Sequence, residues 1–426
     1  MRNLYIYTIF EKENGRPRCT GIRIGDNIKI YDLYRSGARR TIADINKVKK
    51  TIRDLIIYTN DNGGKVVLSD FKSHIAQFQL PCDFRYYNVY DLHLISAKPG
   101  VDFDADRKLL TQILQNITNR SLLPYQLLIS NSAVVYQELE RVGLTNNYTP
   151  VNPIWSQKVY SGRSKTTGFN LQGFTDEHLV LPHGCSDHDI LIHFDWICAD
   201  IKAAALLSND RKLIQSFIDS DPYSYMRDVI NEDSDDKMSR DECKLFLLKS
   251  INSMDFNSPA LSQIYTGLGS WIKDSRDAIS RPNGFLETIL GRRFYASSAK
   301  NNLAVLNGAM QGSVAHAMQN VIRQAWCKLP KRIVGEIHDS LVIASPSSTN
   351  EILSTISSIV PIMLNPFRGI LESDPTFPVK ISLGRRWRKW ELFATYREGK
   401  IEYANESRDP QVTLKLSDEI VSVKHD

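Results

Sequence analysis

Apolar and polar residues alternate in short runs at the start of the chain. LYIYTIF (4–10), CTGIRIG (19–25) and NIKIYDLY (27–34) carry the period of two expected of half-buried strands, with an Asp-Asn turn at 26–27. KVVLSD (65–70) predicts a further strand and FKSHIAQF (71–78) the helix after it, an α/β pattern. A helical stretch is expected from about Asp106 to Val142, broken by Asn146-Asn147, Pro150 and Pro153. Strands and long helices then alternate over 161–344. LIQSFIDS, DECKLFLLKSI, SQIYTGLGSWIKDS and MQGSVAHAMQNVIRQAW all have helical spacing. The tail is charged and strand-like (ELFATYREGKIEYA, TLKLSDEIVSV), and no repeat or low-complexity tract occurs.

Composition narrows the class. The chain has 426 residues, 42% hydrophobic and 24% charged, which is enough apolar mass for two or three cores. No apolar run reaches the roughly 18 residues of a membrane span, and the first residues lack the apolar core of a signal peptide. Six scattered cysteines without a CxxC pair argue against a disulfide framework and for a reducing cytoplasm. The net charge of +5 is mild, but it is concentrated at Arg292-Arg293, Lys331-Arg332 and LGRRWRKW (383–390). Such patches neutralise phosphates, although any one of them is equally a solvated basic face.

Two stretches carry candidate chemistry. In ILIHFDWICADIKAAALLSND (190–210) an apolar strand ends at Asp195 just before a helix, which makes Asp195 either a rigidly placed ligand for a hard cation or a helix cap. In KRIVGEIHDSLVIAS (331–345) two β-rich runs flank His338-Asp339, predicting a hairpin with those residues at its turn. If Asp339 and Asp195 meet, they make a two-metal site, with ions about 3.5–4 Å apart. SGRSKTTG lacks the spacing of a P-loop. His183, Cys185, His188 and His193 match no common zinc spacing, so no zinc site is expected.

In order along the chain, the segments around Asp195–Asp210 and Ile337–Leu341 resemble motifs A and C of the family A (DNA polymerase I-like) DNA polymerases. GRSKTTGFNLQG (162–173), RDECKLFLLKSINSM (240–254), LETILGRRFYA with LNGAMQGSVAHAM (286–318) and FPVKISLGRRWRKW (377–390) resemble further segments of that family in its order. The resemblance implies a right-hand polymerase of α/β and α+β class, with palm, fingers and reduced thumb, preceded by an RNase H-like exonuclease-type domain. It implies an exonuclease-like domain over 1–104, a thumb over 105–160, and palm and fingers over 161–393 with fingers at about 207–290. A C-terminal extension would cover 394–426. The expected function is extension of a primer 3′-hydroxyl with deoxynucleoside triphosphates on a template, by two-metal phosphoryl transfer.

The resemblance also implies roles. Asp195 and Asp339 would hold two magnesium ions, with manganese as a substitute. Arg240 and Lys244, four apart on one helix face, would grip the triphosphate, and Lys244 could protonate the leaving pyrophosphate. Tyr223 falls near a phosphate-contacting position and Leu248 where an aromatic normally stacks on the base. Arg163 would reach the minor groove near the primer end. His338, Asn307, Gln311 and Asn252 would contact primer or template.

The chain also departs from the family pattern. Asp200 stands where a glutamate blocks the ribose 2′-hydroxyl, so a looser sugar gate is expected. Asn252-Ser253 replaces a tyrosine-glycine pair, and Leu303 an arginine. In the N-terminal domain Tyr7-Thr8-Ile9 and His74 occupy positions of metal-binding acids, and Glu11 and Glu13, an i, i+2 pair on one strand face, are disfavoured as substitute ligands, so no proofreading is expected. The short thumb implies low processivity or a processivity or replisome partner. A phage, plasmid or other mobile element in a bacterial cytoplasm would suit so compact an enzyme. Two alternatives stay open: a non-catalytic nucleic-acid-binding relative, favoured by Leu248 and Asn252, and an RNA-synthesising or primase-like enzyme, since single-subunit RNA polymerases also carry His-Asp-Ser.

Overall fold

The computed structural model describes residues 4–10, 17–24, 27–32, 42–61, 66–68, 89–91, 124–156, 159–174, 178–232, 237–253, 258–368, 370–371, 375–397 and 400–404. They fall into two compact units, Met1–Arg141 and Val142–Asp426. The division falls inside the segment 105–160 that the sequence reading assigns to a thumb.

In the first unit, β1 (Leu4–Phe10), β2 (Pro17–Ile24) and β3 (Asn27–Asp32) form an antiparallel meander, as their alternation predicts. On the other side of β1, β4 (Val66–Leu68) and β5 (Val89–Asp91) run parallel, giving the order β3-β2-β1-β4-β5. Between β3 and β4 lies α1 (Ile42–Asp61), a helix absent from the sequence-based expectation. Its inward side is set by Ile52 and Ile56, one turn apart and both fully buried. The unit closes with α2 (Pro124–Val142). The expected helix over 71–78, the start of the one expected from Asp106, and His74, Glu11 and Glu13 lie outside the described residues.

The second unit opens with short strands: β6 (Leu144–Asn146), β7 (Thr149–Val151), β8 (Pro153–Ser156), β9 (Lys165–Gly168) and β10 (Val180–Pro182). Then come β11 (Ile190–Trp196) and a helical stretch: α3 (Ala199–Ser208), α4 (Arg211–Asp219), α5 (Pro222–Glu232), α6 (Arg240–Asn252), α7 (Pro259–Ile264) and α8 (Thr266–Ser280). The small pair β12 (Phe285–Glu287) and β13 (Arg293–Tyr295) precedes the long α9 (Asn302–Lys328). The chain continues through β14 (Ile333–Ile337), β15 (Ser340–Ser345), α10 (Thr349–Leu364), β16 (Val379–Arg386), β17 (Lys389–Arg397) and β18 (Lys400–Tyr403).

The continuous helix expected over SQIYTGLGSWIKDS is interrupted at Tyr265 (φ −119°) between α7 and α8. The side chain is fully buried, and its hydroxyl donates to the Pro222 carbonyl at 2.6 Å. Asp210 caps α4 through Leu213 N–H and also accepts Leu268 N–H, both at 2.9 Å. These tertiary bonds outweigh the local preference for one long helix.

The central feature is a six-stranded antiparallel sheet, β14-β15-β11-β16-β17-β18. In β11, Ile190, Leu191, Ile192 and Phe194 are fully buried, each stabilising the fold by roughly 1.5–3 kcal/mol. Helix α10 lies across β11, β15, β16 and β17, and α9 packs on α3 and β14. Where β14 passes over Trp155 and Leu171 there is no room for a Cβ, and Gly335 occupies that place. No helix among the described residues is long and apolar enough to cross a membrane.

Candidate active site

Asp195 is the second-last residue of β11, and its backbone pairs with Ser340 of β15 on one side and Lys380 of β16 on the other. Asp339 immediately precedes Ser340. The Trp196 N–H donates to the Asp339 carbonyl at 3.3 Å, so two acids 144 positions apart in sequence become neighbours, one at the end of β11 and one in the turn before β15. The connection between β14 and β15 is a tight one. Asp339 N–H donates to the Ile337 carbonyl at 2.8 Å, and the residue between, His338, has φ +59°. A γ-turn with a left-handed non-glycine centre is strained. Ser340 supports it by donating its hydroxyl to the Ile337 carbonyl at 3.1 Å.

The environment disfavours negative charge on both acids. Burial, followed by the charge of Asp339, pushes the Asp195 carboxyl up to about 7, with Lys380 pulling the other way. Burial and the charge of Asp200 push Asp339 up to about 6, opposed by Arg163 and by a bond to its own backbone. Neither carboxylate forms an ion pair with a described residue. Two crowded, unneutralised carboxylates at the end of a rigid strand are a donor set that fits a hard divalent cation, whose other positions water or substrate oxygens can fill. Among the described residues no group of three or more His, Cys, Asp and Glu side chains is placed to hold a metal, so the pair stands by itself.

On the β15 side stand Arg163 and Asp200. Arg163 donates to Asp200 Oδ1 at 2.8 Å. The loop presenting Arg163 is held from behind: buried Arg292 donates to the Ser161 and Tyr160 carbonyls at 3.1 and 2.8 Å, and Gln319 to the Gly162 carbonyl at 3.2 Å. Gly162 has φ +87°, and a Cβ there would strike the Arg292 guanidinium. Gln172 ties the same segment to β14, donating to Ser164 Oγ at 2.9 Å and to the Glu336 carbonyl at 3.3 Å. Arg388, from the β16–β17 turn, donates to the Gln172 and Phe174 carbonyls, both at 2.9 Å. Burial and the charges of Arg163 and Arg388 hold the His338 imidazole below its ordinary pKa.

On the β16 side a second cluster begins at Cys198, which leads into α3 with φ +53°. Its thiol is raised by burial and hydrogen-bonded to Tyr223, and it lies within the fields of Asp221, Arg240 and Lys380. Asp221 caps α5 through the Tyr223 and Ser224 N–H groups at 3.0 and 3.2 Å, and receives Arg240 Nε at 3.1 Å. Although burial alone would raise the Asp221 carboxyl, the bonds from Arg240 and Ser224 bring it below its ordinary value. The Arg240 guanidinium lies 5.3 Å from the Tyr223 ring centre.

The helix α6 that carries Arg240 starts with a full capping box, Ser239 with Glu242, worth about 1 kcal/mol. Lys244 follows one turn on and is exposed, and Leu248 a turn later is half-buried. Asn252 is the last residue of α6. Asn307 and Gln311 sit one turn apart on α9, both half-buried, and no hydrogen bond or ion pair among the described residues joins either to the carboxylate pair. Tyr223, expected to contact a phosphate, is only 4% exposed. Its hydroxyl is hydrogen-bonded to the Cys198 thiol and its ring lies beneath the Arg240 guanidinium. The sequence reading missed Asp221, Arg292 and Gln172 as supports, and Lys380 beside Asp195. Only strand register and loop packing could reveal them. His193, one of the residues set aside as a zinc ligand, stacks on Trp390 at 4.4 Å.

No family model matches the sequence, and no curated protein matches it. The structure is similar to that of the polymerase domain of Pol1 from M. smegmatis, solved in complex with DNA primer-template and dNTP. The TM-score is 0.60 at 14% identity, over 90% of this chain and 95% of that one. At that identity the likeness is one of fold.

Proposed function

We propose that the chain is a template-directed DNA polymerase of the family A type, extending a primer 3′-hydroxyl with deoxynucleoside triphosphates and lacking proofreading. The observation that carries this reading is the meeting of Asp195 and Asp339, both raised toward neutral pH chiefly by burial, with Asp339 adding to the rise at Asp195 and Asp200 to that at Asp339, in a chain with the fold of a polymerase domain. In this reading the six-stranded sheet is the palm, α4 to α8 form the fingers, and the first unit is a degenerate exonuclease-like scaffold. The mixed sheet of that unit suits an RNase H-like domain, and β1 carries no acid.

Asp195 and Asp339 would hold two magnesium ions, which supply charge neutralisation at the attacking hydroxyl oxygen and the triphosphate. The side chains of this chain do the rest. Lys244, exposed on the face it shares with Arg240, meets the phosphates as a point charge and can donate a proton to the leaving pyrophosphate. Arg240, braced by Asp221 and Tyr223, presents a planar guanidinium to the same phosphates. Arg163 and His338 lie beside Asp339, where the primer end would sit. Arg163 offers donors to minor-groove acceptors, and burial with the charges of Arg163 and Arg388 disfavours a positive charge on the His338 ring. Asn307, Gln311 and Asn252 would contact template or primer, Leu248 the incoming base, and Asp200 the sugar.

Primer extension on a defined template with magnesium, run separately with deoxy- and ribonucleotides beside Asp195→Ala, tests the reading. The wild type should extend with deoxynucleotides and the variant should fall to background. No extension by the wild type, or equal extension by the variant, would overturn it.

A further inference from the structure

Among the described residues, Lys380 is a cation directly beside Asp195. It is the second residue of β16 and pairs across the strands with Asp195. Residues directly opposite each other in an antiparallel pair point to the same face. Burial alternates along β16, with Val379, Ile381 and Leu383 inward and Lys380 exposed. On β11 the neighbours of Asp195, Phe194 and Trp196, are likewise inward. Ser340, Asp195 and Lys380 therefore form a row across β15, β11 and β16, with Asp339 in the turn immediately before Ser340 and Lys380 on the opposite side of Asp195. Among the described residues the Lys380 ammonium makes no hydrogen bond and no ion pair.

The side of the row on which Lys380 stands is the informative part. Its charge is felt by Asp195 and also by the Cys198 thiol, which lies in the fields of Arg240 and Asp221 as well. On the opposite side of Asp195, Asp339 is neighboured by Arg163 and Asp200. Lys380 thus faces the Arg240 side of the site, away from His338 and Arg163. Arg240 itself is partly committed to Asp221. A metal-bound triphosphate still carries net negative charge, and on this side Lys380 is an exposed cation with no ion pair among the described residues.

We propose that Lys380 is a nucleotide-binding residue that grips the triphosphate of the incoming nucleotide, and the pyrophosphate product, from the sheet side of Asp195, opposite Arg240 and Lys244. This rests on the polymerase reading and adds a phosphate contact made from β16. The flexible lysine stem and its exposed, unshared ammonium suit a mobile polyphosphate better than a fixed planar partner.

The test compares wild type, Lys380→Met and Lys380→Arg, each bound to a primer-template with a dideoxy-terminated primer so that no chemistry follows. Affinities for the correct deoxynucleoside triphosphate and for inorganic tripolyphosphate are measured at saturating magnesium, with primer-template affinity measured separately against salt. Lys380→Met should bind both phosphates about tenfold more weakly, the scale of one charge-assisted bond. Lys380→Arg should stay within about threefold, and primer-template affinity should not change. Equal phosphate affinity in Lys380→Met overturns the proposal while leaving the polymerase reading intact. So does a loss that falls on primer-template binding, with the salt slope reduced by about one phosphate. So does a loss that appears only below saturating magnesium, which would place the effect on the metal. A wild type that binds neither phosphate overturns the polymerase reading itself. Thermal melts of the three proteins confirm that each is folded before affinities are compared.

Discussion

Replacing Asp195 by Asn should stabilise the metal-free protein while destroying its activity, and the stabilisation should depend on pH in a definite direction. The Asp195 carboxyl lies at about 7 in the folded chain, against an ordinary 3.8. The folded state therefore holds this proton more tightly than the unfolded state. Stability from this group is fully present below the ordinary carboxylate pKa and is lost as pH rises toward 7. A gap of about three pH units corresponds to about 4 kcal/mol at full ionisation. Because water reaches part of the group, about 2 kcal/mol is the realistic scale. Asparagine has the same shape as the protonated acid and cannot ionise. In the absence of divalent ions, Asp195→Asn should exceed wild type by about 2 kcal/mol at pH 8, or about 5 °C in melting temperature. Near pH 4 it should match wild type. Millimolar magnesium should then raise the melting temperature of wild type at pH 8 and leave the variant unmoved. A variant less stable than wild type at pH 8, or one whose difference from wild type is the same at both pH values, would refute the reasoning that two repelling acids await a cation.

Three further outcomes follow from the geometry. Gly162→Ala, at φ +87° against the Arg292 guanidinium, should destabilise the protein by about 2 kcal/mol and raise the KM for primer-template, because the loop carrying Arg163 must shift; thermal melts and extension kinetics check both. Arg240→Ala leaves Asp221 without its charged partner, yet the pair is partly exposed, so stability should fall by at most about 1 kcal/mol while nucleotide affinity falls about tenfold or more, as read by nucleotide titration. If Asp200 meets the sugar as proposed, Asp200→Glu, one methylene longer, should lower ribonucleotide relative to deoxyribonucleotide incorporation by about tenfold; an unchanged ratio in competition assays would remove Asp200 from that role.

The parts of this molecule legible from sequence were those in which local pattern and tertiary placement agree. The alternation in LYIYTIF appears as strand β1, and the runs flanking His338-Asp339 appear as strands β14 and β15, buried at every position as short continuous apolar runs allow. Helix α1 was not legible, since DLIIYT at its end mixes β-branched and aromatic residues that mimic a strand, and only the burial of Ile52 and Ile56 fixes the period of the helix. The interruption at Tyr265 was hidden for another reason: the partners that cause it, Pro222 and Asp210, are 43 and more positions away. The site divides along the same line. Motif resemblance could point to Asp195 and Asp339, but alternation in FPVKISLG says only that Lys380 faces outward. That it stands opposite Asp195 depends on the register between β11 and β16, which no local signal encodes. Tyr223 was reached by resemblance alone, and nothing local in the sequence encodes its burial or its place under the Arg240 guanidinium.

The most direct measurement of the central claim is crystallographic. The protein should be crystallised with a dideoxy-terminated primer-template and the correct nucleotide, soaked in manganese, and measured at the manganese absorption edge. Two anomalous peaks about 3.5–4 Å apart, each within ligand distance of Asp195 or Asp339 and one of them on the triphosphate, are the expected result. Peaks elsewhere with the two carboxylates unliganded, or nucleotide bound away from them, would contradict it.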